Sequence, residues 1–175
     1  MHGLWRLGTN DLTLEQVNHH ERPGVLPIAF TLMHAVRSED GTTSRFLLHE
    51  PTLWEAGNWA ARVGVSVPDV GRGTPVEVAE TLRFADLDAW RDYQAGVFAR
   101  TEQAIAELAP ERLSELPLGG ELPESARGSF LSMVVEPGKP PRLIDILECF
   151  VYQHGIRHIG ELEHARALVD LGGVT

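Results

Sequence analysis

The stretch CFVYQHGIRHIGELEHARALVDLGG, residues 149–173, decides how the chain is read. Leu147, Val151, His154, His158, Leu162, Ala165 and Val169 recur at three- and four-residue steps, which is the spacing of one face of a helix. That helix is expected to run from about Arg142 to Leu171 and to stop at the Gly172-Gly173 pair. Two of the stripe positions where leucine is expected hold histidine instead. Side chains four apart on a helix project side by side, so the imidazoles of His154 and His158 can converge on one cation.

The same periodicity recurs upstream. Leu87, Trp90, Gln94, Val97, Thr101, Ile105 and Leu108 predict a bundle helix from about Asp86 to Leu108. From Pro27 to Leu48 the pattern is again helical, with Pro27 suited to the first turn. Its segment IAFTLMHAV, residues 28–36, is apolar on nearly every side, as in a central helix surrounded by neighbours. LTLEQVN, residues 12–18, predicts a short helix with Thr13 and Gln16 as a capping box. Residues 49–75 are rich in glycine and proline and carry Trp54 and Trp59, a long connection with one helical turn near Trp59 to Val63. Residues 109–130 form another, with a turn around Glu111 to Glu115. FLSMVVE, residues 130–136, is the best candidate for a short extended piece. The fold class expected is all-α, a bundle of four principal helices.

Composition narrows the function classes. With 175 residues, 43% of them hydrophobic, the chain can bury a real core, and it is expected to form a single domain over residues 1–175. Lys plus Arg number 15 against 25 Asp plus Glu, a formal charge of −10 that disfavours nucleic acid and anionic membranes as partners. The longest apolar run, residues 25–36, is interrupted by Pro27, Thr31 and His34 and is too short for a bilayer span. Nothing at the N-terminus reads as a signal peptide, so a soluble, cytoplasmic protein is expected. Cys149 is the single cysteine, so any metal needs nitrogen or oxygen ligands. No environment that would activate Cys149 as a nucleophile is visible.

A third histidine completes a candidate site. His34 lies in the most apolar helix, and buried imidazoles need partners. Three neutral imidazoles suit zinc, nickel, iron or copper and leave room for water or substrate. The residues leave two readings open: three ligands of one ion, or three separately hydrogen-bonded histidines. Other metal chemistries fit less well. A helical zinc protease needs glutamate after its first histidine, where this chain has Gly155. A carboxylate-bridged two-metal bundle needs two Glu-x-x-His units, and Glu161 to His164 is the sole one. A mononuclear site is preferred. His2, His19, His20, His49 and His164 are read as solvated, and Gly155 and Gly160 as points of close approach to a neighbour.

Ordered along the chain, LTLEQVN, LPIAFTLMHAVRSEDGTTSRFL, LWEAGNWAARVG, FADLDAWRDYQAGVFARTEQAIAEL and HGIRHIGELEHARALVDLGG resemble the DinB-like superfamily over roughly residues 10 to 172. The resemblance implies an up-down-down-up four-helix bundle, usually a homodimer. It also implies a divalent metal bound by one histidine of the second helix and a His-x-x-x-His pair of the last, which here are His34, His154 and His158. Zinc or nickel is expected first, then iron or manganese. Characterised enzymes of the superfamily activate a low-molecular-weight thiol for transfer or isomerisation. The function expected is therefore a metal-dependent enzyme of thiol S-transferase or hydrolase type, its substrate entering past the tryptophan-bearing loop. The alternative is a non-catalytic, metal-stabilised dimeric binding or stress-response module. Only about ten residues precede DLTLEQ, so a shortened first helix is expected. Glu39 and Asp40 lie more than a turn beyond His34 and are expected to back the metal ligands or to support structure rather than to act.

Overall fold

A computed structural model of the chain describes residues 1–67, 71, 73–122, 124, 128–136 and 138–173, and among them every regular element is helical. Two short helices, α1 (His2–Thr9) and α2 (Leu14–Asn18), begin the chain. Thr13 caps α2 through the reciprocal pair with Gln16, as the spacing predicts. Then α3 (Ile28–Thr42) continues directly into a π-helical segment, Thr43–Leu48. Pro27 supplies its extended N-cap. Ile28, Ala29, Leu32, Met33 and Val36 are all buried on α3, which packs against α2, α7 and α10 and is the central helix.

The long connection carries α4 (Leu53–Ala56), α5 (Trp59–Val63) and α6 (Val76–Ala79) before α7 (Leu87–Ala106). Asp86 caps α7 by accepting from the Ala89 amide at 2.9 Å. A 3₁₀ turn, Pro110–Ser114, follows where a turn was expected. Contrary to expectation, FLSMVVE is not extended. Ser129 caps a helical turn there, α8 (Phe130–Val134), and no strand among the described residues offers the segment a partner.

The last helix departs from a single regular rod. It starts as α9 (Leu143–Leu147), capped by Arg142 and Asp145, widens into a π-helical segment, Glu148–Gln153, and resumes as α10 (His154–Ala167). It ends before the glycine pair. Asp170 takes the left-handed conformation at φ 61° and lets the Leu171 amide donate back to the Arg166 carbonyl at 3.0 Å. Aspartate tolerates that turn better than most side chains, so the stop precedes Gly172.

Arg166, 3% exposed, fastens this end to the start of the chain. It donates to both carboxylate oxygens of Asp11 at 2.6 and 2.8 Å, to the Gly8 carbonyl at 2.9 Å and to the Gly172 carbonyl at 3.0 Å. These hydrogen bonds hold the Asp11 carboxyl below its ordinary value. Asp11 is lowered on folding, so its contribution is present above the ordinary carboxylate range and is lost as pH falls through the folded value. Because Asp11 is half-exposed, solvent screens much of the charge attraction. Arg166→Met is expected to cost about 2 kcal/mol at neutral pH and to flatten the loss of stability below about pH 4. Urea unfolding of both proteins between pH 3 and 7 measures both effects.

Candidate metal centre

His34 on α3 faces His154 and His158 on α10, the pair of elements in closest association. The three side chains sit within reach of a single ion: Nε2 of His154 is 3.2 Å from Nε2 of His34 and 3.1 Å from Nε2 of His158. All three are half-buried. Phe30, one turn before His34, stacks on its ring at 5.7 Å and walls one side.

Hydrogen bonding cannot account for both short contacts. A neutral imidazole nitrogen either donates one in-plane bond or accepts one, so Nε2 of His154 can satisfy one neighbour and not the other. One cation can take all three lone pairs. Metal–nitrogen bonds of about 2.0–2.1 Å place neighbouring ligand nitrogens about 3.0 Å apart in an octahedron and about 3.4 Å apart in a tetrahedron. The observed 3.1 and 3.2 Å lie between these values, so the donor set fits a divalent ion.

Electrostatics favour the ligand form. Burial, then the neighbouring His158 and His34, push the His154 imidazole down to about 3. Burial and His158 also lower His34, with Glu161 opposing. Both are therefore neutral at physiological pH with lone pairs available. His158 has its other nitrogen, Nδ1, 2.6 Å from Oε2 of Glu161. Nδ1 of His154 is buried with no partner among the described residues.

Several neighbouring residues have roles that spacing did not reveal. His2 is not solvated: it stacks on Phe98 at 4.1 Å and bridges Glu39 at 3.0 Å and Glu102 at 2.7 Å. Burial opposes its protonation, but the two carboxylates prevail and raise its pKa. The close approach at Gly155 comes from Met1, whose thioether occupies the space a Cβ would need, whereas Gly160 faces open space. Cys149 is buried, and burial pushes its thiol up to about 11, so it is a poor nucleophile at neutral pH. Trp54 is buried and packs on Tyr93 at 5.0 Å, and the partly buried Trp59 packs against the same ring at 5.6 Å. Asp40 is buried and structural, binding the amides of Leu53 and Trp54.

Among the described residues no fourth His, Cys, Asp or Glu joins the three histidines, and no helix is long and apolar enough to cross a membrane. The family model described as the DinB superfamily matches residues 4–162. Comparison with curated proteins gives no match. A solved structure of a conserved protein from Enterococcus faecalis is similar over 97% of this chain and 90% of that one, with a TM-score of 0.73 and 19% identity. At that identity the likeness is one of fold.

Proposed function

The chain belongs to the DinB superfamily, and on that premise we propose that it binds one divalent metal ion through Nε2 of His34, His154 and His158 and uses it in catalysis. The observation that carries this reading is a set of three converging imidazole nitrogens with no fourth His, Cys, Asp or Glu beside them among the described residues. A closed structural site fills four positions from the protein, whereas a catalytic one leaves a position for water or substrate. Bound there, the ion supplies the Lewis acidity that makes a thiol or water an effective nucleophile near neutral pH.

The protein's own residues do the rest. Burial keeps His154 and His34 neutral, and ligation by imidazole nitrogen leaves the positive charge of the ion unspent. Phe30 stacks on the His34 ring and helps to fix its plane. The reaction class we propose is S-transfer with a low-molecular-weight thiol, or hydrolysis. Zinc and nickel are the preferred ions, with iron or manganese next, because imidazole accepts several first-row metals. We take residues 1–175 as one domain, an up-down-down-up bundle acting as a cytoplasmic homodimer. The non-catalytic alternative, a metal-stabilised binding module, predicts a fourth protein ligand and is less well supported by the three found among the described residues.

Elemental analysis of tag-free protein purified without added metal tests the site. About one ion per chain is expected in the parent and little in His158→Ala. A parent that stays empty, and that fails to take up zinc or nickel on titration, overturns the reading. Given an occupied site, metal-dependent consumption of a thiol or of a hydrolysable ester then separates the enzyme from the binding module.

A further inference from the structure

We infer that Glu161 is a positioning residue for this centre, holding His158 in the tautomer and orientation that present Nε2 to the ion, a role that rests on the three-histidine reading above. Residues 158 and 161 lie one turn apart on α10, so their side chains meet on the same face. Oε2 of Glu161 stands 2.6 Å from Nδ1 of His158, a short hydrogen-bond distance. An ionised carboxylate can only accept, so the proton must sit on Nδ1 and the lone pair on Nε2. Nε2 is the atom that faces His154 at 3.1 Å.

The two imidazoles of α10 are thereby unequal. His158 is anchored from behind, while Nδ1 of His154 is buried with no partner among the described residues. Anchoring of this kind fixes the ring and raises its basicity, and its loss typically weakens metal affinity by roughly 10- to 100-fold. Glu161 has another candidate partner in sequence, His164 at the same spacing, yet His164 is exposed and the carboxylate turns to His158. The carboxylate is itself 59% exposed, so the metal-free fold owes it little.

Zinc affinity, measured by competition with a chromophoric chelator, is compared in the parent, Glu161→Ala and Glu161→Gln, together with each apoprotein's thermal midpoint and the cobalt(II) absorption spectrum. The alanine variant is expected to bind zinc roughly 10- to 100-fold more weakly with an unchanged apo midpoint and an altered cobalt spectrum. The glutamine variant keeps an acceptor for Nδ1–H and should recover most of the affinity. If the parent binds and Glu161→Ala binds within twofold of it, the positioning role is wrong while the metal site stands. If the parent does not bind, the site itself is wrong and this role falls with it. An alanine variant whose apo midpoint drops together with its affinity also overturns the role, because Glu161 then supports the fold rather than the ligand.

Discussion

Asp40→Ala is expected to destabilise the folded chain by about 3–5 kcal/mol. Asp40 is 2% exposed, and its carboxylate gathers four donors from three parts of the chain. It accepts from the amides of Leu53 and Trp54 at 3.0 Å each, from the Tyr93 hydroxyl at 2.9 Å and from Ser44 Oγ at 3.2 Å. The two amides belong to the first turn of α4, whose N–H groups have no partner inside the helix. One side chain on α3 thus holds the long connection against α7. Burial, ahead of the Asp40 charge, keeps the Tyr93 hydroxyl far above its ordinary value, so it remains a donor at any physiological pH.

Alanine removes the acceptor and strands these donors in the interior, each at a cost of about 1–3 kcal/mol, partly offset by no longer burying a charge. For a domain of this size the net loss corresponds to a fall in melting temperature of roughly 6–20 °C. Asp40→Asn, which retains one acceptor oxygen, should fall between the parent and alanine. Tyr93→Phe should cost about 1 kcal/mol alone and much less in the alanine background, because the bond it removes is already gone. Urea unfolding of the four proteins closes this cycle. A loss below about 1 kcal/mol for Asp40→Ala would mean that water takes over the four donors.

Asp40 also shows where sequence reading stops. The helical period placed α7 within two residues, and α3 with its π-helical continuation within one, because that signal is local. That aspartate sits only a turn and a half from His34, so proximity in sequence suggested a supporting role without showing what it supports. Ser44, four residues on, is a local partner, but the others lie at residues 53, 54 and 93, and no local pattern links them. The π-helical segments at Thr43–Leu48 and Glu148–Gln153 were equally hidden: a widened turn is set by packing, here of Leu47 against Leu147 and Val151, and leaves no residue signature. FLSMVVE misled because its paired valines favour strands, while the deciding residue was Ser129 just before it. His2 was read as a free terminus because its carboxylate partners lie 37 and 100 residues away.

The convergence of His34, His154 and His158 was legible for the opposite reason. Two of the three are fixed relative to each other by the helix itself, and the third lies on the helix with the most apolar surroundings. Glu161, three residues beyond His158, was equally accessible to that reasoning, but its competing match to His164 concealed it.

On the proposed site, His154→Leu should reverse the order of stability between metal-free and metal-loaded protein. Without an ion, His154 is a poorly satisfied residue: Nδ1 is buried with no partner among the described residues, and Nε2 can serve only one of its two close neighbours. Leucine fits the apolar stripe that continues through Leu162 and removes both unmet demands, so the metal-free variant should be more stable than the parent by about 1 kcal/mol. With zinc at a free concentration 100 times the dissociation constant, the parent should gain about 2.7 kcal/mol, and about 4 kcal/mol at 1,000 times. The variant should gain almost nothing. Zinc binding to histidines of the unfolded chain lowers these figures in both proteins without restoring the difference.

Urea unfolding in the presence of a chelator and again in excess zinc measures the crossing. A histidine serving only as a core residue gives two curves that move together, whatever their order. A variant less stable than the parent by more than about 2 kcal/mol under chelation would show that the ring is well satisfied without an ion. It would then be the separately hydrogen-bonded reading, and not metal ligation, that explains why histidine occupies a leucine position on α10.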